Sequence, residues 1–194
     1  MDVLLLSTLA VTLAEIGDKT QLLALMLAVR YRRPWPIVGG ILVATLVNHA
    51  IAAALGAWLR ALVDPQVLRW IIAACFFGVA VWTLIPDRID EDAAKPPIGH
   101  LGVFGVTVVT FFLAEMGDKT QIATVMLAAQ YPHFILVVMG TTLGMLIANV
   151  PVVLAGNFAA DRLPLTLIRR IAAAGFAALA VYTGYQALQL AGWV

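Results

Sequence analysis

Two segments of this chain place the same set of charged and polar side chains inside long apolar runs. Residues 15–21 read Glu-Ile-Gly-Asp-Lys-Thr-Gln, and residues 115–121 read Glu-Met-Gly-Asp-Lys-Thr-Gln. A charged side chain at the centre of an apolar membrane helix costs roughly 3 kcal/mol or more. A set of such groups that occurs twice with one spacing therefore indicates a functional site.

The chemistry that these groups could do is the binding of a hard cation. Oxygen ligands suit Mg²⁺, Ca²⁺ and Mn²⁺, whereas Zn²⁺ and Cu⁺ prefer Cys, Met or His, and of these the two motifs contain only Met116. The predicted ligands are Glu15, Asp18, Gln21, Glu115, Asp118 and Gln121, with Thr20 and Thr120 as helpers. Lys19 and Lys119 are predicted to tune and tether the carboxylates, because an ammonium group repels a cation.

The charges of the two motifs predict an exchange reaction. Four carboxylates and two ammonium groups leave a formal charge of −2 if all of them ionise. One divalent cation neutralises that charge, and so do two protons. A buried site that is neutral with either ligand, and costly when empty, favours exchange over leak.

The spacing within each motif suggests how the carboxylates would be presented. On a continuous helix, Glu15 and Asp18 stand at i and i+3 and point to one side, with Lys19 one turn after Glu15. Gly17 removes a side chain between the two carboxylates. Either another backbone approaches closely there, or the helix unwinds locally.

The elements that position these groups are predicted to be membrane-spanning helices. Of the 194 residues, 62% are hydrophobic and only 12% are charged, and the mean hydropathy is +0.97, which is typical of a chain embedded in lipid. We find no separate targeting segment, and the single Cys75 excludes a disulfide framework or a cysteine metal cluster. Runs long enough to cross a bilayer lie at about Val3–Val29, Ile37–Leu59, Val67–Ile85, Leu101–Ala129, Phe134–Phe158 and Leu167–Ala191.

The whole chain is a duplication. A shift of 100 residues places Ala14–Tyr31 on Ala114–Tyr131 with 11 identities in 18 positions, and the register continues without a gap. We therefore predict an all-α integral membrane protein with repeat 1 at residues 1–86, an acidic cytoplasmic linker at 87–100, and repeat 2 at 101–194. Three spans per repeat are an odd number, so the second copy enters the membrane from the opposite face. This is the inverted-repeat design of many secondary transporters.

The lysine and arginine residues of the loops predict the orientation. One face carries Arg30, Arg32, Arg33, Arg88, Lys95, Arg162, Arg169 and Arg170. The face with both termini carries Arg60 and Arg69. We expect the first face to be cytoplasmic and both termini to lie on the non-cytoplasmic side.

The doubled motif resembles the E-x-G-D-[KR]-[TS] signature of a family of six-span cation/proton exchangers. That family includes bacterial manganese exporters of the Mne type and Golgi Ca²⁺/Mn²⁺–proton exchangers. The resemblance covers essentially the full chain and implies export or organellar loading of Mn²⁺ or Ca²⁺ against protons, with Glu15, Asp18, Glu115 and Asp118 as the cation site. It also implies a bacterial inner membrane. Mn²⁺ is the favoured cargo and Ca²⁺ the next.

Three other functions remain as alternatives. A divalent-cation channel would use the carboxylates as a filter, and a non-transporting membrane scaffold would use the motifs only to lock the repeats together. An intramembrane enzyme is not expected, because the sequence has no HExxH, GxSxG or other nucleophile–base pair. The expected partners are divalent cations, protons and the bilayer, without nucleic acid and without a cofactor beyond the transported cation, and a homodimer is left open.

A second group of polar side chains lies in the middle of the predicted second and fifth spans. Asn48 and His49 belong to the second span, and Asn149 occupies the position of His49 in the other repeat. We interpret them as interhelical hydrogen-bonding residues. The alternative for His49 is a cation ligand or a proton relay.

Overall fold

The computed structural model describes residues 2–85, 102–155 and 165–192, which form helices and no strands. The predicted linker at 87–100 lies outside these residues. In chain order the helices are α1 (Val3–Glu15), α2 (Lys19–Tyr31), α3 (Pro34–Leu62), α4 (Pro65–Thr83), α5 (Val103–Glu115), α6 (Lys119–Gln130), α7 (Phe134–Ala155) and α8 (Leu165–Leu190).

Four of these helices, α3, α4, α7 and α8, are long and apolar enough to cross a membrane. At 1.5 Å per residue, even the 19 residues of α4 extend about 28 Å, close to the hydrocarbon thickness of a bilayer. Local sequence fixes where they begin. Pro34 and Pro65 stand in the first turn of α3 and α4, where a missing backbone N–H costs nothing. Asp64 caps α4 by accepting hydrogen bonds from the amides of Gln66 and Val67.

The two apolar runs that hold the motifs are each divided into two short helices. The helix ends at Glu15 and resumes at Lys19, and in the second half it ends at Glu115 and resumes at Lys119. The prediction of a continuous helix with Glu15 and Asp18 at i and i+3 is therefore wrong, and the local unwinding considered for Gly17 is observed. The cause is the backbone at the two glycines, Gly17 with φ +81° and Gly117 with φ +74°, a region that other residues rarely adopt.

The helices of one half pack mainly against those of the other half, and the contacts come in reciprocal pairs. α1 packs on α7, and the equivalent α5 packs on α3. α4 packs along its own counterpart α8, where the rings of Phe76 and Phe176 stack with centroids 6.2 Å apart. Large apolar side chains such as Leu55, Trp58 and Phe77 remain exposed on the outside, as expected for a surface that faces lipid.

Glycine permits the closest of these approaches. A Cβ atom placed on Gly140 would lie 2.7 Å from the carbonyl oxygen of Leu4 and 2.8 Å from the Cβ of Ser7, on α1. The equivalent Gly40 would meet Thr107, the counterpart of Ser7, at 2.6 Å from its Cβ. The two halves therefore use the same glycine to bring the same pair of helices together, as is common in membrane proteins.

Substitution of this glycine should separate the helices. We expect Gly140→Ala to lower the melting temperature of the purified protein in detergent, because overpacking costs about 1–3 kcal/mol, more than the gain of up to about 1 kcal/mol from the helix propensity of alanine. Gly78→Ala is the control, since its Cβ would meet no atom within 4 Å. Equal melting temperatures for the two variants would contradict the packing assigned to Gly140.

Candidate cation site

Both motifs build the same turn between their two short helices. Glu15 is the last residue of α1, and Asp18 precedes α2, with its amide donating a hydrogen bond to the Glu15 carbonyl at 3.0 Å. Glu115 and Asp118 repeat the arrangement at 3.1 Å. Each turn therefore places one carboxylate at the end of one helix and the other at the start of the next.

The motif glutamines close these turns. The amide of Gly17 donates to Oε1 of Gln21 at 2.8 Å, and the amide of Gly117 donates to Oε1 of Gln121 at 2.7 Å. The Nε2 atom of Gln21 donates to the carbonyl oxygen of Ala148 at 3.0 Å. Each glutamine oxygen thus already accepts one hydrogen bond, and the role of Gln21 and Gln121 as cation ligands stays a prediction.

The lysines connect the two motifs to each other. Nζ of Lys19 lies 3.1 Å from Oδ2 of Asp118, and Nζ of Lys119 is hydrogen-bonded to Oδ1 of Asp18. The side chain of Lys19 is 31% exposed, whereas those of Lys119 and both aspartates are buried. Each ammonium group therefore neutralises a carboxylate from the opposite half.

The two glutamates are buried but differ in their partners. Oε1 of Glu115 accepts a hydrogen bond from Thr120 and lies 3.8 Å from Nε2 of His49. Among the described residues, neither carboxylate oxygen of Glu15 has a hydrogen-bond partner, and the hydroxyl of Thr20 has none either. A buried carboxylate without partners is costly, so Glu15 is placed where a cation or a proton would stabilise it.

The other three carboxylates of the motifs lie within electrostatic reach of Glu15. Glu15 interacts with Glu115, Asp18 and Asp118, as well as with the ammonium group of Lys119. Within the described part of the chain, no three side chains of the His, Cys, Asp and Glu types are arranged to hold one metal ion.

The three mid-span polar residues, Asn48, His49 and Asn149, differ in their hydrogen bonds. The interhelical hydrogen bond predicted for this group is present at Asn48, whose Nδ2 donates to the carbonyl oxygen of Phe112 at 3.4 Å and whose Oδ1 accepts from Gln121. Asn149 instead donates to Met145 of its own helix at 3.0 Å. The ring nitrogens of His49 have no hydrogen-bond partner among the described residues, so the interhelical hydrogen bond predicted for His49 and Asn149 is wrong.

Arg169 is a contact of the site that the sequence did not identify. The sequence predicts it as a loop charge, but its Nη2 atom donates to the carbonyl oxygen of Gly17 at 3.1 Å. Among the described residues, Arg69, its counterpart in the first half, makes no such bond to Gly117. The signal was present in the sequence, since an arginine stands at this position in both repeats.

Comparison with known proteins identifies the same two halves of the chain. The family model described as "Divalent cation/proton antiporter GDT1" matches residues 3–91 and again residues 103–191, that is, once in each half. No solved structure matches the chain.

Three relatives are similar over most of their length. A Vibrio cholerae protein named "Putative manganese exporter" is 50% identical over 186 residues, which cover 95% of this chain and 92% of the relative. The GDT1-like protein sll0615 of Synechocystis is 33% identical over 80% of this chain and 83% of its own length. The GDT1-like protein 5 of Arabidopsis thaliana is 28% identical, with 93% of both chains covered.

The family match, the doubled motif and the apolar helices lead to one conclusion. The chain is a multi-pass membrane transporter and not an enzyme, and its substrates are divalent cations and protons. It belongs to the GDT1 family of divalent cation/proton antiporters.

Proposed function

We propose that this protein exchanges Mn²⁺, with Ca²⁺ as the second candidate, for protons and moves the cation out of the cytoplasm. The observation that carries the proposal is the reciprocal pairing of the motifs, in which Lys19 contacts Asp118 and Lys119 contacts Asp18. This pairing gathers buried carboxylates from both halves around one place. The cargo is supported by the oxygen donors, which suit Mn²⁺ and Ca²⁺, and by the name of the Vibrio cholerae relative.

In the proposed mechanism the lysines are resident counter-ions. When the site holds no cation, the ammonium groups neutralise Asp18 and Asp118, and protons neutralise Glu15 and Glu115. A divalent cation arriving from the cytoplasm displaces the two glutamate protons to that side and binds the carboxylates, and the lysines shift away from the cation because like charges repel. Protons that reach the glutamates from the outside reverse the process and release the cation. Because each state is neutral, neither requires a large charge to remain buried.

We also propose six spans in two inverted repeats, with α1–α2 and α5–α6 each forming one broken span. The reciprocal packing of α1 on α7 and of α5 on α3 supports this topology. Each of these four short helices has only 12 or 13 residues, about 20 Å, and is too short to cross a bilayer alone. A transporter with this topology typically binds its substrate at the breaks, near the midplane.

Alternating access is supported by a departure from the reciprocal pattern. α4 packs on α6, whereas its counterpart α8 packs on α1 rather than on α2. The two turns also differ in burial. Gly17 is buried and its carbonyl oxygen accepts a hydrogen bond from Arg169, while Gly117 and Met116 are exposed. In the second state of the cycle, α8 would move towards α2 and α4 towards α5. The turn at Gly17 would then become exposed, and the turn at Gly117 would become buried.

The function can be tested with purified protein in liposomes under an imposed pH gradient. Internal indicators would follow Mn²⁺ and Ca²⁺, and a second dye would follow pH. We expect cation flux that requires the gradient and that moves protons in the opposite direction. Cation flux without proton movement would instead indicate the channel, and no flux of either metal would indicate the scaffold.

The proposed topology predicts that equivalent loops lie on opposite sides of the membrane. In a Cys75→Ser background, we expect Arg33→Cys to react with an impermeant maleimide only from the cytoplasmic side, and His133→Cys only from the outside. Both positions are exposed in the structure and stand 100 residues apart, so each is the matched control of the other. Labelling of both cysteines from one side would contradict the inverted repeat.

A further inference from the structure

The environments of the two motifs differ chemically at residues 49 and 149. The charged and polar residues of the motifs are identical in the two halves, but His49 of α3 corresponds to Asn149 of α7. Both side chains are fully buried. The neighbouring pair, Asn48 and Ala148, also differs, but the amide of Asn48 is bonded to Gln121 and Phe112. The imidazole of His49 is therefore a donor that only one half of the site can offer.

The position of His49 is suited to binding a metal together with Glu115. Its Nε2 atom lies 3.8 Å from Oε1 of Glu115, which is too long for a hydrogen bond. Two donors that each lie about 2.1–2.2 Å from one divalent metal are themselves about 3.0–4.4 Å apart for angles of 90–180°. The observed distance falls inside that range without any movement of either side chain.

Burial makes the absence of a partner significant. Among the described residues, neither ring nitrogen of His49 has a hydrogen-bond partner, and Oε2 of Glu115 has none. Buried polar groups are normally satisfied, and an unsatisfied one calls for an explanation such as an ion that binds there.

The equivalent positions of the first motif and of α7 offer oxygen only. Nδ2 of Asn149 donates to the Met145 carbonyl at 3.0 Å and lies 3.0 Å from the Met145 sulfur, which leaves its Oδ1 atom without a partner among the described residues. In the first motif, the oxygens of Glu15 and the hydroxyl of Thr20 are also without partners among the described residues. A cation held between the halves would therefore meet oxygen from one side, and oxygen plus one imidazole nitrogen from the other.

We propose that His49 determines the preference of the transporter for Mn²⁺ over Ca²⁺ by contributing its Nε2 atom as a ligand beside Glu115. Ca²⁺ takes six to eight oxygen ligands, whereas imidazole binds divalent first-row transition metals. The inference rests on the proposed divalent-cation exchange and goes further by assigning the selectivity to one residue. It predicts that removal of the nitrogen changes which metal is carried and leaves proton coupling in place.

The test compares three variants in the liposome assay. His49→Asn makes the surroundings of the second motif like those of the first, Asn149→His makes the surroundings of the first motif like those of the second, and His133→Asn is a control in an exposed loop. We expect His49→Asn to lower the ratio of kcat/KM for Mn²⁺ to that for Ca²⁺ by about 10-fold or more. Asn149→His should raise the ratio, and His133→Asn should leave it unchanged.

A direct binding measurement keeps the inference testable if transport is lost. Mn²⁺ bound to the purified protein would be followed by its paramagnetic resonance signal and displaced with Ca²⁺. We expect Ca²⁺ to displace Mn²⁺ from His49→Asn at a concentration about 10-fold lower than from the wild type. An unchanged displacement, or an equal loss of affinity for both metals, would overturn the inference. Wild-type protein without proton-coupled flux would instead overturn the proposed function itself.

Discussion

Replacing Glu15 with Gln is expected to reduce proton-coupled Mn²⁺ transport about 100-fold or more. The side chain is fully buried, and its two oxygens have no hydrogen-bond partner among the described residues. Gln has nearly the same size but cannot carry a charge or release a proton. Removal of a charged ligand costs about 3 kcal/mol of binding free energy, which corresponds to about 100-fold in affinity. Initial rates of Mn²⁺ flux in liposomes, with protein content matched, would measure the effect.

The appropriate control is a second buried polar group on the same helix. Ser7 is fully buried on α1, two turns before Glu15, and Ser7→Ala removes only a hydroxyl without a partner among the described residues. We expect this variant to retain wild-type flux. Glu115→Gln should lose flux as Glu15→Gln does, since exchange in the proposed mechanism requires both glutamates. Normal Mn²⁺ flux in either glutamine variant would exclude the glutamates from the mechanism.

Replacing Lys119 with Met is expected to destabilise the protein by about 3–5 kcal/mol, the usual effect of removing one member of a buried ion pair. The change leaves the carboxylate of Asp18 buried without this ammonium group. For a chain of this size we expect the melting temperature in detergent to fall by about 10 °C. Thermal unfolding at neutral pH, monitored by the loss of non-aggregated protein on gel filtration, would measure it.

Two further variants separate the ion pair from other effects of the substitution. Lys119→Met combined with Asp18→Asn removes both charges, and we expect it to be more stable than Lys119→Met alone. Lys19→Met should have a smaller effect, because the Lys19 side chain is 31% exposed, which weakens its ion pair, and because Asp118 still accepts a hydrogen bond from the Lys119 amide. If the double variant were no more stable than the single one, the pairing across the two halves would be refuted.

The long helices could be predicted from composition alone. Uninterrupted apolar runs correspond to α3, α4, α7 and α8, and proline marks the beginning of α3 and α4 where the sequence had suggested a break. The predicted limits differ from the observed ones by a few residues because helices continue into the polar ends, as α3 does to Leu62. The six-span inverted repeat stays a prediction.

The path of the chain through the motifs could not be predicted in the same way. Gly17 was compatible with a close approach of two helices and with an unwound turn, and its left-handed backbone is stabilised by the Gln21 side chain that caps its amide. Once the helix breaks, the local pair of Glu15 with Lys19 is lost. Lys19 is then free to reach Asp118, a partner that local spacing cannot reveal.

The distance along the chain between ion-pair partners has a consequence for biosynthesis. Asp18 and Lys119 are separated by 101 residues, so this partner of Asp18 does not yet exist when α1 and α2 leave the ribosome. At about 5–20 residues per second, the delay lasts about 5–20 s. The ion pair between Asp18 and Lys119 therefore forms only after the second motif has been synthesised, and a chain truncated before Lys119 would lack it.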